Sequence, residues 1–547
     1  MTTSRARFGV RGGWQAPLAI AAGFAAAWWA VGAGSADAPY IDDWVYARSV
    51  EQLVQTGRLG VPSISAVYPV AQTLWAAPFA ALLGFSFDAL RLSTVAAAGL
   101  GAWALYLLLV ELGCRRSTAG LGAAAMALHP VLFDLTFSFM TEVPFVAAST
   151  ASLAACVRGV RADRASATWW GGAFALVAYL VRPVGLMLPL AALAVTAAAP
   201  GRAAALRRHG APLAATVAAM LVLQIALPRV FGAHYWADAR TENLQWWFTI
   251  PAVTYAKWTV EALVIATFPV APLLLAAATS RRDLARLAGV ALVLGVATVA
   301  LVGEPVAPLP DGQTWSLQEF TARNMLTGGA PSQPWAPALD PWLAGAAAAA
   351  VAGLGVAATR AFDRDGGWGR GEAIVATYGV LQLAVVHAFW LYNDRYYVVF
   401  APVLAVFGAR ALDRRPAARL AAAAMLGLVA VLDVTGVRDM LDVNRTASDA
   451  VRDLERSGVP PFDIDAGYTL NGWRFYVHPE HLPPGADVEH DVPGVTAGAG
   501  RHLGIVADPQ PGETVVRAVP LHAVTWQVSR ALYVVSRQAG ADGTRTR

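Results

Sequence analysis

Apolar runs near twenty residues long recur along this chain, separated by short polar breaks. A helix needs about 20 such residues to cross a bilayer. Thirteen segments fit the pattern, at 14–34, 88–110, 117–130, 143–158, 168–181, 183–200, 210–228, 257–279, 287–303, 338–358, 372–391, 396–412 and 417–435. The first polar break holds two shorter stretches, 43–56 and 70–84. In 43–56, Val45, Ser49 and Leu53 share one helical side, Arg48, Glu51 and Gln55 share another, and Gly57 ends the run. Both stretches predict helices lying at the interface, a depth that suits Trp44, Tyr68 and Trp75. Beyond 436 the pattern changes to one helical stretch, Ala447–Arg456, then β-like runs at Gly504–Val506, Thr514–Val519 and Ala531–Ser536. The expected fold class is an all-α polytopic membrane protein with a small C-terminal α/β domain. Its two parts are a transmembrane domain over 1–435, with interfacial helices in 35–87, and a second domain over 436–547.

Composition agrees with a membrane chain. Of 547 residues, 56% are hydrophobic and only 14% charged, against about 25% charged in soluble domains. Arginines give the orientation. Arg115/Arg116, Arg158/Arg161/Arg164, Arg202/Arg207/Arg208, Arg281/Arg282/Arg286, Arg360/Arg364/Arg370 and Arg410/Arg414/Arg415 fall in alternate loops, on the same side as Arg5, Arg7 and Arg11. The positive-inside rule makes that side cytoplasmic. The N-terminus is then cytoplasmic, the C-terminal domain extracytoplasmic, and the location a plasma (inner) membrane crossed many times. Arg5, Arg7 and Arg11 before an apolar run, with Ala36-Asp37-Ala38 after it, also have the form of a cleaved signal peptide; a retained first helix is preferred because many more spans follow. The net charge of +4 is spread in short clusters, which argues against nucleic acid as a partner. Cys114 and Cys156 have neither the number nor the spacing of a metal site or a disulfide scaffold.

Four groups with chemistry fall on the predicted outer side. They are Asp42/Asp43, Glu142, Arg182 and Asp394-Arg395. Carboxylates and arginines converging at a membrane surface can deprotonate a nucleophile and hold an anionic leaving group. Arginine suits phosphate because its planar fork donates two parallel hydrogen bonds. Each group also has a plainer reading. Asp42 can cap the helix that starts at 43, with Asp43 as a first-turn acid. Glu142 can cap the next helix ahead of Pro144. Arg182 and Arg395 can be snorkelling anchors, and Arg395 can pair locally with Asp394. Asp42 and Glu142 are also the candidate ligands if a divalent metal assists, although no ligand spacing requires one and no cofactor is otherwise called for. The Trp236–Trp247 segment reads as an interfacial belt.

The ordered motifs resemble those of the GT-C membrane glycosyltransferases, in the protein-mannosyltransferase-like and aminoarabinose-transferase-like branch (glycosyltransferase family 39 type). The Asp-acid-x-x-Tyr motif is Asp42-Asp43-Trp44-Val45-Tyr46, with Asp where Glu is common. Gly57, Tyr68-Pro69, Pro78-Phe79 and Gly84 continue the pattern. Met140-Thr141-Glu142-Val143-Pro144 matches a Met-x-acid-x-Pro motif, with Glu for the usual Asp. Arg182-Pro183-Val184-Gly185 and Arg395-Tyr396 with Pro402 complete the set, which spans 14–435 by topology. The resemblance implies a GT-C architecture and inverting transfer of a sugar from a polyprenyl-phosphate donor to a lipid, glycan or protein acceptor on the outer face. It implies Asp42 as general base and Asp43 and Glu142 as residues that shape the pocket, orient the acceptor or assist a metal. Arg182 and Arg395 would bind the donor phosphate, and Tyr46, Tyr68 and Tyr396 would line the substrate pocket.

Two other classes compete. A transporter or flippase of a lipid-linked or small polar substrate would place its charges near the bilayer midplane, often in two related halves; here the charges lie at one surface and no halves are visible. A scaffold assisting envelope assembly through its C-terminal domain is the third.

Overall fold

The computed structural model of the chain describes residues 15–35, 37–40, 42–232, 270–277 with a few single positions nearby, 369–388, 394–413, 415–484, 486, 501–507, 509–522 and 531–537. The expected segments at 287–303 and 338–358, most of 257–279 and the Trp236–Trp247 belt lie outside these residues.

The first polar break folds as its periodicity predicts. After α1 (Gln15–Val31) come α2 (Asp43–Thr56) and α3 (Val70–Leu83). Gly57 ends α2 in the left-handed conformation, φ 69°, and its N–H closes on Leu53 O at 2.9 Å, a terminus that glycine adopts without a Cβ penalty. The bundle continues with α4 (Phe87–Glu111), α5 (Arg116–Ala127), α6 (Pro130–Thr136), α7 (Glu142–Arg161), α8 (Ala165–Tyr179), α9 (Met187–Ala198) and α10 (Ala211–Phe231). It closes with α11 (Arg370–Ala388), α12 (Ala401–Asp413) and α13 (Pro416–Arg456). Helix α7 is central and packs on α4, α8 and α11. Glycines set two of these approaches: a Cβ at Gly101 would lie 3.0 Å from Ala147 Cα, and one at Gly171 2.3 Å from Cys156 Sγ. Small residues let membrane helices come this close.

Among the described residues, five helices are long and apolar enough to cross a membrane: Phe87–Glu111, Glu142–Arg161, Arg202–Phe231, Arg395–Asp413 and Ala417–Arg456. A sixth arises if α5 and α6, bent by 71°, count as one broken span. The bend falls at His129-Pro130, where a proline fits the first turn of a new helix better than the interior of an old one. The sequence pattern predicts one segment there, ending at 130, and α6 is the addition.

The larger departure is α13. Separate helices are expected at 417–435 and 447–456, yet one helix of 41 residues runs through both. Between them Val437, Met440, Leu441, Asn444 and Ala447 are buried, the three- and four-residue spacing of an amphipathic helix. Falling hydropathy at 436 therefore marks a change of surroundings and not a helix end. Val443, Ala447, Ala450 and Val451 form a second core with Ile464, Leu470, Ile505 and Leu532. The C-terminal sheet has β1 (Ile464–Asp465), β2 (Leu503–Val506), β3 (Glu513–Pro520) and β4 (Ala531–Arg537) in the order β1-β2-β4-β3. Only the β1–β2 pair is parallel. Helix α14 (Gly467–Val477) follows β1.

Candidate active site

Four charged residues, far apart in sequence, form one unbroken set of ion pairs. Asp42 occupies the N-cap position of α2 but makes no side-chain cap bond. Its Oδ2 instead accepts from Arg395 Nη1 at 2.9 Å. Arg395 belongs to the 3-10 turn Asp394–Phe400 that leads into α12. Its Nε lies 3.6 Å from Glu142 Oε1. Glu142, the first residue of α7, is fully buried, and the same oxygen takes Arg182 Nη2 at 2.7 Å. Arg182 Nε donates to Thr141 Oγ1 at 2.9 Å. Acid and base thus alternate along Asp42, Arg395, Glu142 and Arg182. The plainer readings give way to this geometry: Asp42 is not used as a cap, and neither arginine reaches away toward solvent, each side chain being 13% exposed. The Asp394 side chain lies outside the described residues.

Two tyrosines frame the pairs. The Tyr396 ring faces both guanidinium groups, at 5.4 Å from Arg182 Cζ and 5.8 Å from Arg395 Cζ. Tyr46 follows Asp42 by four residues, so the two share a side of α2. Burial pushes the Tyr46 phenol pKa up, and Asp42 and Glu142 add to the rise. The Arg-Pro-x-Gly element fixes Arg182 mechanically. Gly185 N–H returns to Arg182 O at 3.0 Å, and a Cβ at Gly185 would lie 2.6 Å from Tyr179 N. Only glycine lets this turn press against the end of α8.

The remaining predicted site residues are placed differently. Asp43 is fully buried, and its Oδ1 accepts the Tyr40 N–H at 2.5 Å. Burial raises its carboxyl to about 7, partly opposed by Arg91 and by the backbone N–H groups of Tyr40 and Phe139, with Asp42 adding to the rise. Successive helical side chains diverge by about 100°, so Asp42 and Asp43 serve different neighbourhoods. Tyr68 donates to Gly232 O at 2.6 Å and packs on Phe231. It lines a small cavity with Tyr179 and Pro183, the residues flanking the Arg182 turn.

Tyr468 joins the site without a warning in the sequence. It projects from α14 in the C-terminal domain, and its hydroxyl donates to Asp42. Burial, then Asp42, raises its phenol pKa. Its ring meets Trp44 edge-on with centroids 5.8 Å apart. Gly472 explains how α14 comes so near: a Cβ there would lie 2.5 Å from the Trp44 ring. Arg48 Cζ lies 3.6 Å over Tyr476, so α14 runs along α2. Nothing local in the sequence links α14 to residue 42.

Chemically the arrangement offers one partly exposed carboxylate, Asp42 at 27%, beside two guanidinium groups held by a buried acid. Both candidate metal ligands, Asp42 and Glu142, are engaged by arginines. Among the described residues no three of His, Cys, Asp and Glu cluster together.

Residues 69–227 match the family model of the dolichyl-phosphate-mannose-protein mannosyltransferases. That stretch holds the Met140–Pro144 and Arg182–Gly185 motifs, which resemble those of the GT-C membrane glycosyltransferases. The match to the mannosyltransferase family takes in Glu142 and Arg182, while Asp42 and Arg395 lie outside it and are tied to it by the ion pairs. No curated protein matches the chain. Among solved structures, the chain is similar to ArnT from Cupriavidus metallidurans bound to undecaprenyl phosphate, at 17% identity over 97% of this chain and 99% of that one, TM-score 0.43. It is also similar to the oligosaccharyltransferase AglB from Archaeoglobus fulgidus in complex with an inhibitory peptide and a dolichol-phosphate, at 15% identity over 82% of this chain and 59% of that one, TM-score 0.43.

Proposed function

We propose that the protein is an inverting glycosyltransferase that moves a sugar from a polyprenyl-phosphate donor to a hydroxyl of an envelope lipid, glycan or protein on the outer face of the plasma membrane. The observation that carries this reading is the alternating set Asp42–Arg395–Glu142–Arg182. The matched family takes its name from a sugar donor of the same chemical kind.

In this reading the events follow an order. An arriving donor phosphate draws Arg395 and Arg182 onto its oxygens, where bidentate charge-assisted bonds form. Asp42 loses its guanidinium partner to the phosphate and becomes free to take a proton. It removes that proton from the acceptor hydroxyl as the hydroxyl oxygen bonds to the anomeric carbon. The bond from that carbon to the phosphate oxygen breaks on the opposite face. The electron pair stays on the polyprenyl phosphate, whose growing charge the two arginines offset. Glu142 keeps both arginines in place throughout, and Tyr468 orients Asp42. Asp43 stays in the packing between α2 and α4.

The test is incubation of the purified protein, in lipid vesicles, with radiolabelled polyprenyl-phosphate sugar and a crude envelope acceptor. Label appearing in acceptor material is the expected result. Label crossing the vesicle membrane still attached to its polyprenyl phosphate would instead support a flippase, and no movement at all would support a scaffold.

A further inference from the structure

A second open space, about 530 Å³, lies between the end of α1, the middle of α13 and the C-terminal domain, apart from the acid–arginine set. Its lining has an apolar side and a basic side. Trp29, Val434 and Leu441 form one side, and Arg438, Arg445 and His522 form the other. The single acid of the lining, Asp442, is already taken: Arg445 Nη2 pairs with one oxygen, and the His522 backbone N–H donates to the other at 2.8 Å. Arg438 is exposed and has no ion pair or hydrogen-bond partner among the described residues.

The level of this space follows from helix geometry. Along α13 only Asp433 interrupts the uncharged run between Arg419 and Arg438. At 1.5 Å per residue that run is about 28 Å long, close to the roughly 30 Å of a hydrocarbon core. Arg438 therefore stands where the apolar slab ends. Trp29 is 86% exposed near the end of α1 at the same cavity, and tryptophan favours the headgroup layer. Below the cavity Val431 and Leu428 on α13 are exposed, as is Leu18 on α1. An apolar path thus leads up to an uncompensated guanidinium.

The geometry points to a binding site for the phosphate of an anionic membrane phospholipid. Arg438 is its donor, and Trp29 covers the carbons next to the phosphate. Charge complementarity selects the occupant: a neutral zwitterionic headgroup would bring its own cation against Arg438, whereas an anionic one would not. Because His522 belongs to the C-terminal domain, an occupant would also fasten that domain to α1. This inference is independent of the glycosyl-transfer reading.

The full chain, purified in a neutral detergent, is titrated with phosphatidylglycerol or phosphatidylcholine, and bound lipid is counted by native mass spectrometry. Phosphatidylglycerol is expected to bind the wild type about tenfold more tightly than phosphatidylcholine, as one charge-assisted contact implies. Arg438→Gln, an exposed change that leaves the fold's contacts intact, is expected to erase that preference, while Arg456→Gln keeps it. A third arm uses soluble glycerol 3-phosphate, expected to bind too weakly to compete. Equal binding of the two lipids, a preference that survives Arg438→Gln, or full competition by glycerol 3-phosphate would each overturn the proposal.

Discussion

Two acid–arginine clusters in this protein look alike in composition and differ in what they leave unspent. In the C-terminal domain, Asp465 is fully buried and saturated. It takes Gly467 N–H at 3.1 Å, Asn471 Nδ2 at 2.9 Å and Arg537 Nη1 at 2.7 Å. Arg537 in turn also holds Glu513 Oε1 at 2.8 Å. That cluster ties β1, α14, β3 and β4 together. Asp42 is partly exposed and pairs with Arg395 through one oxygen, and that guanidinium is shared with a second acid, Glu142. A closed network maintains a fold, whereas an open one can exchange a protein partner for a substrate. Counting ion pairs does not separate the two; remaining acceptor capacity and access do.

The comparison can be broken by mutation. Arg395→Gln is expected to lower transfer by about 10²–10³-fold, the loss seen when one transition-state donor is removed, with a melting temperature near that of the wild type. Asp465→Ala should do the reverse. It leaves buried donors without their acceptor and should cost about 3 kcal/mol of stability, read as a lowered denaturation midpoint, while folded protein keeps its specific activity. Tyr468→Phe removes one hydrogen bond to Asp42 and should slow transfer by about 3- to 10-fold. Because Tyr468 orients Asp42, the pH–rate profile should shift as well, which a purely packing role would not produce.

Asp43→Asn should have the smallest effect on rate, within about twofold, since amide and carboxylate both accept the Tyr40 N–H. Its signature is in stability. Folded Asp43 titrates near 7, above its unfolded value of 3.8, so the folded state holds the proton more tightly than the unfolded chain. Its contribution is present in full below the unfolded value and is lost as pH rises toward 7. Stability measured from pH 4 to 7.5 should therefore fall less in Asp43→Asn than in the wild type.

Much of the helical order was legible in the sequence because apolar length and periodicity are local properties. Helices α2, α3, α4 and α7 begin and end within a few residues of their patterns, and Gly57 closes α2 as its type predicts. The α5–α6 bend and the unbroken α13 were not legible. A proline allows either a kink or a new start, and hydropathy reports surroundings and not helix continuity. Motif order pointed to Asp42, Glu142, Arg182 and Arg395, each at a helix edge where a charge is costly without a purpose, and the ion pairs join these four. Asp43 was expected to shape the same pocket as Asp42, because adjacency in sequence hides the 100° turn between them. Tyr468 was invisible for the opposite reason: its contact spans more than 400 positions and depends on Gly472 fitting under Trp44, which no short window encodes.

The most direct test of the central claim is transfer of radiolabelled sugar from polyprenyl phosphate by Asp42→Asn, measured beside its melting temperature. The account predicts a protein as stable as the wild type whose transfer rate has fallen by about 10²–10⁴-fold, the usual contribution of a positioned general base. A stable Asp42→Asn protein that transfers sugar at the wild-type rate would contradict it.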